Sequence, residues 1–337
     1  MKHINMAAAC AGLIAWAASS AIAAESILPA DIRPNLFGAC FISEQEGWVI
    51  GDLGRILYTT DGGKTFERLD AGTKRAFLGI ACFPDKTLIL SGKMGIIYRS
   101  NDGGRTWQAQ KSGTDKNLVS LAFTSRDVGI AVGDAGTIVR TQDGGATWEK
   151  IAVPEQIPLP EEIAETVAPG DILLYDVSFA TPDRAWIVGE FGVILASTDG
   201  GLTWTAQTST VQSTLFGTTF TDANNGWTVG LAGVMLRTRD GGQTWERVKV
   251  PSRPGFSLSL YSVKIAGQYG WAIGDSGYLL SSTDAGESWK LADVPIQLAG
   301  SWFRGVSLVP DGRGLIVGAD GLMLVTDRAT FSPTRKL

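Results

Sequence analysis

An eight-residue signature recurs along this chain at near-constant spacing, and it constrains the fold more than any other feature. Its first copy reads Thr59-Thr60-Asp61-Gly62-Gly63-Lys64-Thr65-Phe66, and its second Ser100-Asn101-Asp102-Gly103-Gly104-Arg105-Thr106-Trp107. Further copies run Thr141 to Trp148, Ser197 to Trp204, Thr238 to Trp245 and Ser282 to Trp289, the last with Ala285 after its aspartate. A seventh, Thr326 to Phe331, is degenerate and one residue short between its aspartate and its aromatic residue. The aspartates stand at Asp61, Asp102, Asp143, Asp199, Asp240, Asp284 and Asp327, with spacings of 41, 41, 56, 41, 44 and 43.

Two more elements complete each unit. A Gly-Trp-Val-Ile-Gly-Asp-Leu-Gly run at Gly47–Gly54 returns at Gly129, Ala185, Gly226, Gly270 and Gly314, with Leu88–Gly95 in the second unit. Upstream lies an apolar segment ending at Phe41, Phe83, Phe123, Phe179, Phe220, Ile265 and Leu308, with Leu36, Leu78, Leu118, Leu174, Leu215, Leu260 and Phe303 five residues earlier. Gly, Asp and Ser turn signals thus bound four short strands per unit, near 36–43, 48–51, 55–60 and 64–69 in the first. A period of 41–44 residues with four strands predicts an all-β, seven-bladed β-propeller of four-stranded antiparallel blades. A glycine count of 42 in 337 residues suits so many turns. We place the propeller at 36–337, preceded by a segment 25–35.

The N-terminus reads as an export signal. Lys2 supplies positive charge, Met6 to Ala18 is apolar, and Ala21 to Ala24 offers small residues for cleavage, giving a signal peptide over 1–24. The run is short of the ~20 residues a spanning helix needs. Cys10 precedes most of it, against a lipoprotein signal. His3 is the single histidine, so removing this segment leaves no imidazole, which excludes Ser-His-Asp, Cys-His and ordinary zinc chemistry. With 29 basic and 34 acidic residues, no nucleic-acid partner is expected.

The repeated [Ser/Thr]-x-Asp-x-Gly-x-[Thr/Ser]-[Trp/Phe] signature resembles the Asp box (BNR repeat) of sialidase-like propellers. An Asp carboxylate can accept from turn N–H groups, and glycine two residues on takes φ > 0 without strain. Seven symmetric aspartates read as structural. The finer pattern, Leu-(Phe/Tyr)-x-Val-x-Phe, then Gly-Trp-x-Val-Gly-x-x-Gly, then the Asp signature, resembles the photosystem II stability/assembly factor family over nearly all of 36–331. The resemblance implies a non-enzymatic, cofactor-free factor in the periplasm or a thylakoid-lumen-like compartment. It would bind a membrane-protein subunit or, outside photosynthesis, another client such as a transporter complex, and act as a monomer without a membrane span. The second reading is a glycan-binding or glycoside hydrolase propeller, which as a hydrolase needs two carboxylates about 5–10 Å apart.

Loops between second and third strands, and between blades, are expected on the face opposite the Asp turns and make it the candidate binding face. Three features mark it. The 56-residue spacing places an insertion at 152–171, where Glu161, Glu162 and Glu165 follow Pro160 and Glu161–Val167 is predicted as two helical turns. It is either a bare surface insertion or a partner-contacting arm. A ring of turn tips, Asp52, Lys93, Asp134, Glu190, Leu231, Asp275 and Ala319, is mostly acidic, either as a cation or basic-peptide site or because Asp suits turns. Phe191 beside it offers an apolar contact. The basic residues Arg304 and Lys264 fall in inner strands, and no arginine patch is evident.

Two expectations concern closure. Cys40 and Cys82 each precede the aligned bulky residue, so both are expected to point to the same face of their blades as small unpaired core residues, although an oxidising compartment favours a bond. Little chain remains for a fourth strand of the seventh blade, with Pro333 expected at an edge. Part of Ser26–Arg33 is predicted to pair there as a latch; the alternative is a seventh blade held by packing alone.

Overall fold

The structure, a computed structural model, describes residues 33–252 and 258–334. Among them, seven four-stranded antiparallel sheets follow one another in chain order, each with its strands in sequence order. The first blade consists of Leu36–Phe41, Gly47–Gly51, Ile56–Thr59 and Glu67–Leu69. Each blade's first strand packs on the first strand of the next, and Phe303–Leu308 of blade seven packs on Leu36–Phe41 of blade one. The first strands therefore surround a central channel.

The second strand of each blade is sandwiched between neighbouring blades. In the first blade all of Gly47–Gly51 is buried, which explains a continuous apolar run where a one-faced strand would alternate. The core is divided accordingly. Trp48, Ile50 and Ile56 of blade one pack against Phe77, Leu88 and Leu90 of blade two. The same kind of cluster recurs at every blade junction, including Leu36 and Val49 against Leu315, Val317 and Met323. Tryptophans of the second strands also reach across: Trp48 Nε1 donates to the Gly103 carbonyl at 3.0 Å, Trp227 to Gly286 at 3.1 Å and Trp271 to Arg328 at 2.9 Å.

The aspartate turns join third to fourth strands. Asp102 accepts from Thr106 N at 2.9 Å, Thr106 Oγ1 at 2.6 Å and Ser100 Oγ at 2.7 Å, while Ser100 Oγ accepts from Gly104 N at 2.8 Å. The pattern repeats at Asp61, Asp143, Asp199, Asp240 and Asp284. At Asp327 the turn is tighter, and the bond runs from Thr330 Oγ1 to the Asp327 carbonyl at 2.8 Å. Bonds from Thr106 and then from the backbone hold the Asp102 carboxyl at about 2, and Thr244 does the same for Asp240. At Asp61 and Asp199 burial pushes upward, but the same hydroxyl and backbone donors outweigh it, again leaving about 2.

Three expectations are corrected or bounded here. First, Cys40 and Cys82 form a disulfide, with Cα atoms 6.0 Å apart. In blade two Phe77, not Leu78, opposes the glycine that ends the second strand, as Leu36 does in blade one. Cys82 is therefore the counterpart of Phe41, one step beyond Cys40. Since successive strand residues point to opposite faces, that one-residue difference turns the two thiols toward each other. Blades seven and one make the same neighbour contact, where Phe41 N donates to Ser307 Oγ at 3.1 Å.

Second, the insertion helix is shorter than predicted. It spans Glu161–Ala164 after Pro160, and the chain leaves it as Val167, with Ile157 and Leu159, turns onto the core between blades three and four. Third, blade seven takes its fourth strand from Thr330–Pro333, with Pro333 on that edge. Of the segment expected to latch it, Ser26–Arg33, all but Arg33 lies outside the described residues, as does the signal-like segment.

Candidate binding face and channel mouth

Opposite the aspartate turns, each blade's second and third strands are joined by one tight turn. In blade one, Asp52 O accepts from Arg55 N at 3.0 Å, and both central residues are left-handed, with φ of 56° at Leu53 and 67° at Gly54. This is the hairpin turn whose twist matches the strands and which favours Asn-Gly or Gly-Gly. The glycine is obligatory: a Cβ at Gly54 would lie 1.9 Å from Thr73 O. The preceding position instead holds Leu53, Met94, Ala135, Phe191, Ala232, Ser276 and Asp320, all at positive φ. A left-handed conformation costs a non-glycine residue about 1–2 kcal/mol. Leu53 and Met94 carry that strain while 46% and 58% exposed. Leu231 on blade five and Ile296 between blades six and seven add further exposed apolar side chains.

The residues anticipated as acidic tips occupy the first corner of these turns, one step before the left-handed pair. Asp52 accepts from Asn35 Nδ2 at 3.1 Å, Asp134 from Asn117 Nδ2 at 2.6 Å, and Glu190 from Leu173 N at 3.0 Å. Asp275 faces the Tyr261 hydroxyl; burial first, then this carboxylate, pushes that phenol up to about 12. Each carboxylate is thus tied to the segment entering its own blade. Lys93 is exposed, and Ala319 is buried. Glu161, Glu162 and Glu165 are exposed on the insertion. Phe191 is half-buried and shares a cleft with Ile157 and Leu159 of the insertion. Among the described residues no cluster of three or more carboxylates or cysteines could hold a metal ion.

Sequence reasoning missed Asn35 and Asn117. Asn35 Oδ1 accepts from Asp320 N of blade seven at 3.1 Å, and Asn117 Oδ1 from Met94 N of blade two at 2.9 Å. Each asparagine therefore ties its own turn to the strained turn of the blade before it.

It also missed a ring at the channel mouth. In blade one Leu36 opposes Gly51 and Gly38 opposes Ile50, so Phe37 is an extra, unpaired residue. The same bulge leaves out Leu78, Val119, Tyr175, Phe216, Tyr261 and Arg304. A bulge re-aims a side chain, and all seven line one cavity of about 270 Å³ in the channel. Phe216 meets Tyr175 and Tyr261 edge to face, at centroid distances of 5.0 and 5.4 Å, forming a continuous aromatic wall. Phe37 stacks with Trp302. The one sequence signal was a Phe or Tyr after the first leucine in four units, at Phe37, Tyr175, Phe216 and Tyr261.

Deeper in the wall, Asp176 accepts from Ser120 Oγ at 2.6 Å and Thr218 N at 2.9 Å. Enclosure pulls the Arg304 guanidinium below its ordinary range, against the attraction of Asp176 and the two tyrosines. The far end of the channel, on the aspartate-turn side, opens into a cavity of about 770 Å³ that includes the disulfide.

The sequence profile of the family "Photosynthesis system II assembly factor YCF48" matches residues 26–115 and 206–330. The chain belongs to this family. The unmatched stretch between the two segments includes the insertion. No curated protein matches by sequence. Among solved structures, a YCF48 bound to a D1 peptide superposes with a TM-score of 0.69 at 20% identity, covering 88% of this chain and 93% of that one. YCF48 from Cyanidioschyzon merolae gives 0.68 at 23% identity, covering 89% and 97%. A GH74 xyloglucanase from Xanthomonas campestris gives 0.70 at 15% identity, covering 88% of this chain and 52% of the enzyme. At such identities the likeness is one of fold.

Proposed function

We propose that this protein is an exported, non-enzymatic assembly factor that docks a membrane-protein partner on the face opposite its aspartate turns. One observation carries the reading: bulky apolar residues are kept exposed in a backbone conformation where Gly or Asn costs less. Strain of this kind concentrates where function requires it. Family membership supports the reading, and so does a relative solved with a D1 peptide bound. The partner is a subunit or peptide segment of a membrane complex, photosynthetic or a transporter; no nucleic acid or cofactor takes part. Export to the periplasm, or a thylakoid-lumen-like space, is supported by the apolar run before Ala24 and by the Cys40–Cys82 disulfide. Among the described residues no helix is long and apolar enough to cross a membrane. The glycosidase reading has less support: among the described residues Asp176 is the single carboxylate lining the cavity at the channel mouth, and both its oxygens accept protein hydrogen bonds, where hydrolysis needs a pair.

The test is affinity capture from detergent-solubilised membranes of the source cells. A Leu53→Asn, Met94→Asn, Leu231→Asn variant is expected to fold and lose the partner. Leu202→Asn, at an exposed site on an aspartate turn, is expected to keep it. Equal capture by the triple variant would remove the reading.

A further inference from the structure

The charges on the channel wall do not balance. Among the described residues, Asp176, Lys264 and Arg304 are the charged ones lining the cavity at the mouth. Both oxygens of Asp176 are taken by Ser120 and Thr218. Among the described residues neither Arg304 nor Lys264 forms an ion pair within 4.0 Å, and the Arg304 guanidinium donates no hydrogen bond to the protein. Five planar donors are therefore offered to the lumen. Of the rim carboxylates, Asp134 is held by Asn117 and Glu190 by Leu173 N while both still act on Tyr175, and Asp275 meets the Tyr261 hydroxyl.

We propose that the bulge ring is a receptor site for a carboxylate, gripped by Arg304 with its carbon skeleton against the rings of Tyr175, Phe216 and Tyr261. A guanidinium fork matches a carboxylate with two parallel bonds. Lys264 and Arg304 against Asp176 leave one positive charge on the wall itself, and the carboxylates of Asp134, Glu190 and Asp275 at the rim disfavour a dianion, so a monoanion is the better match. The volume lies below that used by drug-sized ligands. It suits a small free acid or the carboxylate of a peptide end entering the mouth. This site uses other residues than the docking surface, so either can fail without the other.

Titration calorimetry on the full folded chain tests it with benzoate, benzyl alcohol, and a tripeptide ending in phenylalanine as free acid or as amide. Saturable binding of benzoate or the free-acid peptide is expected, with none by the alcohol or the amide. Arg304→Gln should weaken it at least tenfold, Arg304→Lys less, and Asp176→Asn should tighten it several-fold by removing a like charge. A peptide tighter than benzoate assigns the peptide source; benzoate as tight or tighter assigns the free acid. The proposal is overturned if wild type binds neither carboxylate. It is also overturned if Arg304→Gln melts like wild type and binds as well. Should Arg304→Gln not fold, unchanged affinity in both Arg304→Lys and Asp176→Asn overturns it.

Discussion

At the scale of residues, side-chain identity at the strained turns opposes local preference. Leu53 holds φ of 56° with nothing in its own side chain to favour it. Replacing it with glycine removes a left-handed penalty of about 1–2 kcal/mol, offset in part by the greater freedom glycine has when unfolded. We expect Leu53→Gly to be neutral or up to about 1 kcal/mol more stable in urea unfolding, while partner capture weakens. Asp102 is the opposite case, where side chain and backbone agree. Asp102→Ala strands Thr106 N and both hydroxyl partners. Bonds to a charged acceptor are worth about 1.5–3 kcal/mol, and a loss near the lower end is expected because the turn meets water.

At the scale of elements, each blade is joined to the next by contacts that its own strands cannot supply. The disulfide is the covalent version, linking the first strands of blades one and two across a sequence separation of 42. By the loop-entropy relation, closing such a loop stabilises by at most about 4 kcal/mol. Reduction with dithiothreitol, or Cys40→Ser with Cys82→Ser, should lower the melting temperature without abolishing the fold, since packed clusters hold every blade junction. The indole bonds are the non-covalent version. Trp48→Phe would leave the Gly103 carbonyl without that donor, and a loss of about 1–3 kcal/mol is expected for an unmet buried group. Urea unfolding of both variants checks these values.

At the scale of the whole molecule, two properties follow from symmetry. The first is closure. Leu36 and Val49 pack on Leu315 and Val317 just as neighbours do elsewhere in the ring. Val317→Ala should therefore cost about as much as Val229→Ala at the junction of blades five and six, both being fully buried. A much smaller loss at Val317 would mean that the ring opens there first. The second is acid sensitivity. The carboxyls of Asp61, Asp102, Asp199 and Asp240 sit at about 2, and those of Asp143 and Asp284 are also lowered. A group lowered in the folded state stabilises fully above its unfolded pKa and loses that contribution as pH falls through the folded one. Melting temperature should therefore hold above pH ~5 and fall as pH drops from ~4 to ~2. Asp102→Asn should flatten that fall slightly.

The Asp61 to Asp284 turns, the seven-unit period and the glycine after each strained residue were legible in the chain because each is local: a carboxylate reaches N–H groups three or four residues away, and a turn imposes its own φ. That the turns between second and third strands lie opposite the aspartate turns followed from strand order. The disulfide did not, because it depends on whether Cys82 counts with Cys40 or with Phe41, and only the pairing of Phe77 with Gly92 decides that register. The channel ring shows in the pattern only as a Phe or Tyr after the first leucine of four units, with nothing to say that these meet. Phe37, Tyr175 and Arg304 alternate in sequence like any strand residue, until a bulge in each blade turns them toward the axis. There, side chains from seven distant segments meet, and no spacing along the chain records that meeting.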